Sequence, residues 1–435
     1  MPLSTDRRAR AATVAARLAD ALTAPPASQP DGDRASTGER RRGQSLAAGA
    51  AGVAMLHGLR ARDGVGSWAT VDAWLRAATR EKLSVGARAG LWLGAPALAF
   101  TLATAAPPGR YRFARQHLDS AVTEMTDRRL AAANRRIDAG QRPERAEYDL
   151  VRGLTGLGAH LLTSHPDTDQ LRRVLTYLVR LTEPLPASGV TRLSLPGWWS
   201  GDLPVRAPVD AFADGHADLG MAHGVAGPLA LLALAYRRGI VVPGHLDGLN
   251  RICDWLDAWR QDSPTGPWWP ERITFSELRE GRPAQAGSGR ASWCYGTPGL
   301  ARAQQLAAIA LTDMARQERA EAALAACLGN PAQLARFVDP TLCHGWAGLV
   351  ATVHRAAADA RFHPLGSHLP ALTDQLLDSL NMTEPASGWP PGLIEGTAGV
   401  AAVLHSLATD TTATWETALL LDLPQARSAS CGMAW

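Results

Sequence analysis

The stretch LCHGWAGLVATV, residues 342–353, sets two glycines three positions apart at the start of an apolar run. The same pattern occurs seven times along the chain, and the second copy carries Ala97 in place of its second glycine. The first glycines of the copies are Gly49, Gly94, Gly153, Gly224, Gly296, Gly345 and Gly396. Repetition at intervals of several tens of residues is typical of an architecture built from stacked structural units.

Each repeat is long enough for a pair of helices. The shortest interval, from Gly49 to Gly94, accommodates two helices and their loops. Between the copies lie charged stretches with helical spacing, such as VDAWLRAATREKL (71–83) and DMARQERAEAALAACL (313–328), which indicate outer helices with one solvated face. Glycines three apart share one helix face, where we expect them to admit a neighbouring helix. The sequence therefore predicts an all-α fold, an α/α toroid of seven inner and seven outer helices with a small insertion.

The predicted domain limits follow the repeats. Residues 1–42 are predicted to form an N-terminal helix and a flexible linker, and residues 43–435 the toroid. A small extension is predicted around residues 164–218, because SLPGWWSGDLPVRAPVD (194–210) is rich in proline, glycine and tryptophan and is typical of a loop.

The composition is that of an ordinary soluble protein, with 46% hydrophobic and 20% charged residues among 435. The net charge of +3 is too small to favour nucleic acid as a partner. The N-terminal residues lack the pattern of a secretory signal, and the uncharged residues 89–106 favour a buried helix over a membrane span, so we expect a cytoplasmic protein. Five irregularly spaced cysteines do not indicate a disulfide framework, which leaves reduced thiols or metal ligands.

Reactive side chains gather just ahead of the first glycine of their repeats. In chain order they are Asp149, His223, Arg290, Cys294, Cys343, His344 and Glu395. In a closed ring, equivalent positions of every repeat lie at the same end near the axis. We therefore expect these residues to converge on one mouth of the toroid.

Cys294, Cys343 and His344 form a predicted zinc site. Two thiolates and one imidazole suit a tetrahedral Zn²⁺, one per chain, with its fourth position open for a ligand. A single cysteine is more often a small core residue, and the matched register of the two in adjacent repeats argues against that interpretation. Such a site is neutral, and it lowers the pKa of an incoming thiol from about 8.5. This donor set favours thiol activation.

The remaining residues have more than one interpretation. His223 could transfer a proton near neutral pH or only hydrogen-bond a helix end. Asp149 could orient His223 or form an ion pair with Arg290. Glu395 could simply stabilise a helix N-terminus. The other cysteines are interpreted as inert or have no assigned partner; they are Cys253, Cys327 and Cys431.

Five stretches around these residues form a recognisable set. They read EYDLVRGLTG (147–156), LGMAHGVAGP (219–228), GRASWCYGTPG (289–299), LCHGWAG (342–348) and GLIEGTAG (392–399). The set resembles the lanthionine synthetase C family, the cyclases of lantibiotic biosynthesis, from roughly Gly43 to the C-terminus. The resemblance implies a toroid of seven helix pairs and a zinc ion that activates a cysteine of a dehydrated precursor peptide. The thiolate then adds to dehydroalanine or dehydrobutyrine and forms a lanthionine or methyllanthionine thioether ring.

The resemblance also implies roles for individual residues. It places the zinc ligands on Cys294, Cys343 and His344, and the active-site histidine, aspartate and arginine on His223, Asp149 and Arg290, in that order. It implies a standalone cyclase that depends on a separate dehydratase, with an export transporter as a further partner that would hold the protein at the inner face of the membrane.

Two alternatives stay open. The first is a non-catalytic, zinc-dependent protein of the same fold that binds thiols such as glutathione or serves as a scaffold. The second is a glycoside hydrolase, because α/α toroids also serve in glycoside hydrolysis, with Asp149 and Glu395 as the two catalytic carboxylates. Two thiolates at the mouth argue against the second.

Overall fold

A computed structural model describes residues 3–26, 41–186, 193–204, 209–382, 389–409 and 414–423. Within these ranges, each of the seven repeats starts a helix at its glycine pair, and nearly every residue of these inner helices is buried. The inner helices are Ala50–Arg62, Ala95–Ala105, Leu154–Ser164, Ala226–Arg237, Thr297–Leu311, Trp346–Asp359 and Thr397–Thr409. Seven outer helices in the same ranges bury one face each; they are Thr5–Asp20, Trp68–Ala78, Arg112–Asp138, Asp169–Leu181, His245–Ala258, Met314–Leu328 and Leu369–Met382.

The helices close into a double ring. Each inner helix packs against the next inner helix, and the seventh packs against the first. Each of the first six inner helices also packs against the outer helix that follows it in the chain, and the seventh packs against the first outer helix. The predicted α/α toroid of seven inner and seven outer helices is confirmed. No helix of the described ranges is long and apolar enough to cross a bilayer.

The helix predicted within residues 1–42 is part of this ring. Thr5–Asp20 buries Ala11, Ala15 and Leu18 and packs against the seventh inner helix. Arg7 also pairs with Asp374 of the seventh outer helix at 2.9 Å between Nη2 and Oδ2. Much of the predicted linker, residues 27–40, lies outside the described residues, and the boundary at residue 43 stays a prediction.

The material beyond the helix pairs occupies both long intervals between repeats. Strand His216–Asp218 precedes the fourth inner helix, strand Arg272–Thr274 precedes the fifth, and the two pair antiparallel. The predicted extension range, 164–218, also contains the fourth outer helix of the ring, Asp169–Leu181, so the limits of the extension stay a prediction.

The loops ahead of the inner helices are joined by backbone hydrogen bonds from one repeat to the next. We call this set of bonds the loop ring. It spans six of the seven junctions between repeats in the described residues, with an amide of one loop donating to a carbonyl of the next. The donor and acceptor pairs are Leu150 to Ala222, Met221 to Cys294, Cys294 to Cys343, Cys343 to Ile394, Ile394 to Ala47 and Leu46 to Trp92, at 2.8–3.4 Å.

The second glycine of each pair is required by its own loop. A Cβ atom on Gly399 would lie 1.7 Å from the carbonyl oxygen of Leu393, six residues earlier. The carbonyl six residues earlier is the nearest obstacle in every copy that has a second glycine, namely at Gly52, Gly156, Gly227, Gly299, Gly348 and Gly399. The expectation that these glycines chiefly admit a neighbouring helix is therefore wrong: they let the loop fold back over the first turn.

We expect Gly399→Ala to lower the free energy of unfolding by about 1–3 kcal/mol, because the added methyl group meets a backbone carbonyl that cannot rotate away. Urea unfolding would measure it. Gly86→Ala is the matched control, since a Cβ there meets nothing within 4 Å, and its effect should stay within about 0.5 kcal/mol. Equal unfolding midpoints for the two variants would contradict the role assigned to the second glycine.

Candidate metal centre

The two cysteines of the predicted zinc site occupy matching places in adjacent loops. Cys294 and Cys343 each lie two residues before the first glycine of their repeat. The amide of Cys294 donates to the carbonyl of Cys343 at 3.4 Å, and its own carbonyl accepts from Met221 at 2.8 Å. Gly220 permits this approach, because a Cβ there would lie 2.6 Å from the carbonyl oxygen of Cys294. The loop ring therefore fixes the backbones that carry the sulfur atoms.

Cys294, Cys343 and His344 are brought together. Their candidate ligand atoms all lie within 4.8 Å of one another, and no other group of three or more histidine, cysteine or acidic side chains in the described ranges meets the same criterion. Cys294 is only 9% exposed, whereas the His344 side chain is 37% exposed. Two sulfurs and one imidazole nitrogen are the soft donors that zinc prefers, so the residues present fit this ion.

The protonation of the cluster differs from that of the other buried cysteines. The hydrogen bond between the two sulfurs lowers the pKa of Cys294 and raises the pKa of Cys343. The hydrogen bond to Cys294 raises the pKa of His344. Burial is the main cause that raises the pKa of Cys253 and of Cys327 to about 12, so those two thiols keep their protons. Among the four cysteines that the structure describes, only those of the cluster can offer a thiolate to a metal.

Asp339 joins the cluster to Arg290. Its Oδ2 lies 3.5 Å from Nε2 of His344 and 3.9 Å from Nη1 of Arg290. Its Oδ1 accepts from the Thr341 amide at 2.9 Å, which fixes the carboxylate. The sequence analysis missed Asp339, although a signal exists: it lies six residues before Gly345, the same register as Arg290 in the preceding repeat.

His223 and Asp149 form a separate pair. Nδ1 of His223 donates to Oδ2 of Asp149 at 2.7 Å. The other oxygen of this fully buried carboxylate accepts from the amides of Arg152 at 2.6 Å and Gly153 at 2.8 Å. Of the two partners considered for Asp149, the structure selects His223 and gives Arg290 to Asp339. The carboxylate holds the imidazole with Nε2 available for another partner.

Tyr295 connects this pair to the cluster, and the sequence analysis did not single it out. Its ring lies 6.4 Å from the His223 ring, between centroids, and it directly follows Cys294 in the chain. Its hydroxyl donates to Asp218 at 2.9 Å, and the Arg272 guanidinium lies 5.0 Å from its ring centroid. Burial raises the pKa of Tyr295, so the phenol stays neutral. The two strands beside the toroid thus hold Tyr295 in place.

A cavity of about 470 Å³ opens beside the cluster. Its lining includes Glu271, Arg290, Cys294, Tyr295, Arg336 and His344. Two positively charged arginines and two residues of the metal cluster therefore line the same cavity. The size lies within the range of small-molecule and side-chain binding sites, about 300–1,000 Å³.

Glu395 is not among the residues that line this cavity. It lines a second cavity of about 800 Å³, which we call the tryptophan cavity because Trp74 and Trp389 also line it. Asp149 is fully buried, is held by hydrogen bonds and lines neither of these two cavities, so the two carboxylates of the glycosidase alternative do not face a common cavity among these two. Cys431 lies outside the described residues.

Comparisons with known proteins agree with this fold. A family model described as lanthionine synthetase C-like protein matches residues 41–420. The nisin biosynthesis protein NisC of Lactococcus lactis subsp. lactis is 24% identical over 282 residues, which span 63% of this chain and 64% of that protein. The solved structure of a nisin cyclase superposes with a TM-score of 0.75 at 19% identity and covers 96% of this chain and 98% of that one.

Proposed function

The chain belongs to the lanthionine synthetase C-like family, and we propose that it is a zinc-dependent lanthipeptide cyclase. In this proposal it joins a cysteine of a dehydrated precursor peptide to a dehydroalanine or dehydrobutyrine and forms a lanthionine or methyllanthionine ring. The observation that carries the proposal is the convergence of Cys294, Cys343 and His344 within 4.8 Å. The names of the similar proteins, a nisin biosynthesis protein and a nisin cyclase, support the same activity.

Cys294, Cys343 and His344 would hold one zinc ion per chain. When bound, zinc lowers the pKa of a coordinated thiol, and two protein thiolates leave that sulfur nucleophilic. The Asp339 carboxylate, 3.5 Å from Nε2 of His344, can orient the imidazole, as carboxylates commonly do for metal-binding histidines. The half-buried Arg290 lines the same cavity as Cys294 and is paired with Asp339. It can stabilise negative charge on the carbonyl oxygen of the dehydroamino acid.

The addition requires one proton to leave the thiol and one proton to reach Cα, and we assign both transfers to His223. The sulfur of the peptide cysteine forms a bond to Cβ of the dehydroamino acid, the carbon–carbon π bond breaks, and Cα takes up a proton. The thiol gives up a proton in the same reaction, so a single acid–base group can restore itself. Nε2 of His223 is free for this exchange, since Asp149 engages Nδ1. Asp149 positions the ring and does not touch the substrate.

The partners follow from the chemistry of the substrate. Dehydrated serine and threonine residues must come from a separate dehydratase, and we keep the export transporter as a second proposed partner. A cytoplasmic location, with attachment to the inner face of the membrane through these partners, belongs to the same proposal. The alignment with the curated relative spans 64% of that protein, and its partners are carried over only as proposals.

A synthetic peptide with one cysteine and one dehydroalanine tests the activity. At neutral pH, the peptide should lose its free thiol much faster in the presence of the zinc-loaded protein than in buffer alone. Cyclisation leaves the mass unchanged, so the peptide is alkylated and then weighed, and only open peptide gains the alkyl group. Retention of the thiol by a peptide that the protein binds would instead favour the non-catalytic thiol-binding alternative.

A further inference from the structure

The tryptophan cavity lies at the same end of the toroid as the metal centre. It is bounded by the loops before the first and seventh inner helices and by the C-terminal end of the outer helix Trp68–Ala78. Inner helices begin at this end with Gly49 and Gly396, and Cys343 and His344 precede the inner helix of the adjacent sixth repeat. The metal centre and this cavity therefore both lie on loops at the end of the toroid where the inner helices begin.

The loop ring links the two places through main-chain hydrogen bonds. The Cys343 amide donates to the carbonyl of Ile394 at 2.9 Å, and the next residue, Glu395, lines the tryptophan cavity. The Ile394 amide in turn donates to Ala47 at 2.9 Å, and Ala48 lines the cavity. Two hydrogen bonds of the loop ring therefore connect the Cys343 loop to Ile394 and Ala47, the residues next to Glu395 and Ala48 in the cavity wall.

Several proline and tryptophan rings contribute to the walls of the cavity. They belong to Pro25, Pro26, Trp74, Trp389, Pro390 and Pro391. The Trp74 indole nitrogen donates to the carbonyl of Leu22 at 2.7 Å, which fixes that ring, and Trp389 is half-buried. Rings of proline and tryptophan present flat apolar surfaces that lose little side-chain entropy on binding.

The rim of the cavity is charged. Glu395 and Arg80 are both exposed and both line it. An apolar floor with a few polar groups of both signs at the edge fits a peptide, whose side chain enters the floor while its backbone amides and carbonyls meet the rim. The volume of about 800 Å³ exceeds what one apolar side chain fills, so neighbouring backbone fits as well.

From this geometry we infer that the tryptophan cavity is a subsite for the precursor peptide and receives an apolar side chain that flanks the cysteine held at the metal centre. The inference rests on the proposed function for the identity of its occupant. It makes Trp389 a specificity-determining residue, and it gives Glu395 a place at the edge of a peptide-binding surface.

Two synthetic peptides test the inference. Each carries one cysteine and one dehydroalanine, and they differ only in the flanking residues, leucine in one and glycine in the other. The wild-type protein should cyclise the leucine peptide with a KM about 10-fold lower than that of the glycine peptide and with a similar kcat. Contacts away from the reacting atoms stabilise the bound substrate and the transition state equally, so they change KM and leave kcat unchanged. Trp389→Ala should remove the difference in KM between the peptides and leave kcat and zinc content unchanged.

Two further variants make the result specific. Ala77→Trp places a large ring in the cavity from the adjoining outer helix, so it should also abolish the leucine preference, by filling the space instead of enlarging it. Phe113→Ala is the control, because it removes an aromatic ring that is 76% exposed on another outer helix, and it should keep the preference.

Unchanged leucine preference in both cavity variants would overturn the inference. So would a Trp389→Ala effect on oligomeric mass without an effect on KM, which would make the cavity a contact between copies. If the wild-type protein cyclises neither peptide, the proposed function is wrong, and the subsite is then tested by peptide binding alone. Calorimetric titration with the leucine peptide, alanine replacing dehydroalanine, should then show about 10-fold weaker binding to Trp389→Ala; equal binding overturns the subsite as well.

Discussion

Replacing Cys343 with alanine is expected to reduce bound zinc from one ion per chain to less than about a tenth of that and to remove enzyme-dependent cyclisation, while the protein stays folded. The variant leaves one sulfur and one imidazole, Cys294 and His344, and loses the sulfur partner that favours a thiolate at Cys294. Folding survives because the buried inner helices supply the core, unlike a small zinc finger that is unfolded without metal.

Metal analysis by mass spectrometry and thermal unfolding by circular dichroism measure the two halves of this prediction. Cys294→Ala should behave in the same way. Cys253→Ala is the matched control, since it removes a fully buried thiol from an outer helix away from the cluster and should keep its zinc. Zinc retained in both cluster variants would show that the ligand set is wrong, and unfolding of both would show that the metal holds the fold together.

Replacing His223 with alanine is expected to keep zinc and to lower the rate of correct ring formation by about 10²- to 10⁴-fold, the usual contribution of a positioned acid–base group. The histidine lies in the fourth repeat, outside the three-residue cluster, so metal binding and proton transfer separate at this position. Thiol addition to dehydroamino acids also proceeds slowly in water. The rate must therefore be scored by the ring pattern, from tandem mass spectrometry, together with the loss of free thiol.

Asp149→Asn tests the same pair from its buried side. The amide can still accept the two backbone hydrogen bonds, but its NH₂ group would face Nδ1 of His223 and favour the proton on Nε2 instead. We expect a loss of rate with zinc intact. His117→Ala, at an exposed position on an outer helix, is the control. Correct rings at the wild-type rate in His223→Ala would make His223 structural, and loss of zinc would place it among the ligands.

The architecture was predictable because one short pattern marks all seven inner helices. A fixed register in a closed ring converts distance along the chain into position around an axis, so Cys294 and Cys343 could be placed together from spacing alone. The first outer helix, Thr5–Asp20, was assigned no place in the ring because it precedes the first glycine pair. Its packing against the seventh inner helix depends on ring closure, which no local pattern encodes.

The contacts between side chains were harder to predict from the sequence than the positions of the backbone. Asp149 had two candidate partners, and only the reach of each side chain across the mouth decides between them. Tyr295 stood in a quoted motif, but its importance comes from Asp218 and Arg272, which belong to the strands beside the toroid. The purpose of the second glycine was also hidden, because a loop that folds back over its own helix leaves no periodic signal.

The loop ring bears on how such a mouth changes during evolution. Its bonds join main-chain atoms, so they persist whatever side chain occupies the position two residues before the first glycine. Those seven positions now hold Ala47, Trp92, Val151, Ala222, Cys294, Cys343 and Ile394. Two of them hold a cysteine of the proposed metal centre and five do not. A single codon change at any of the other five positions can alter the chemistry of the mouth while the main-chain hydrogen bonds stay in place. Reactive groups can therefore be gained, lost or moved around the axis while the toroid is retained.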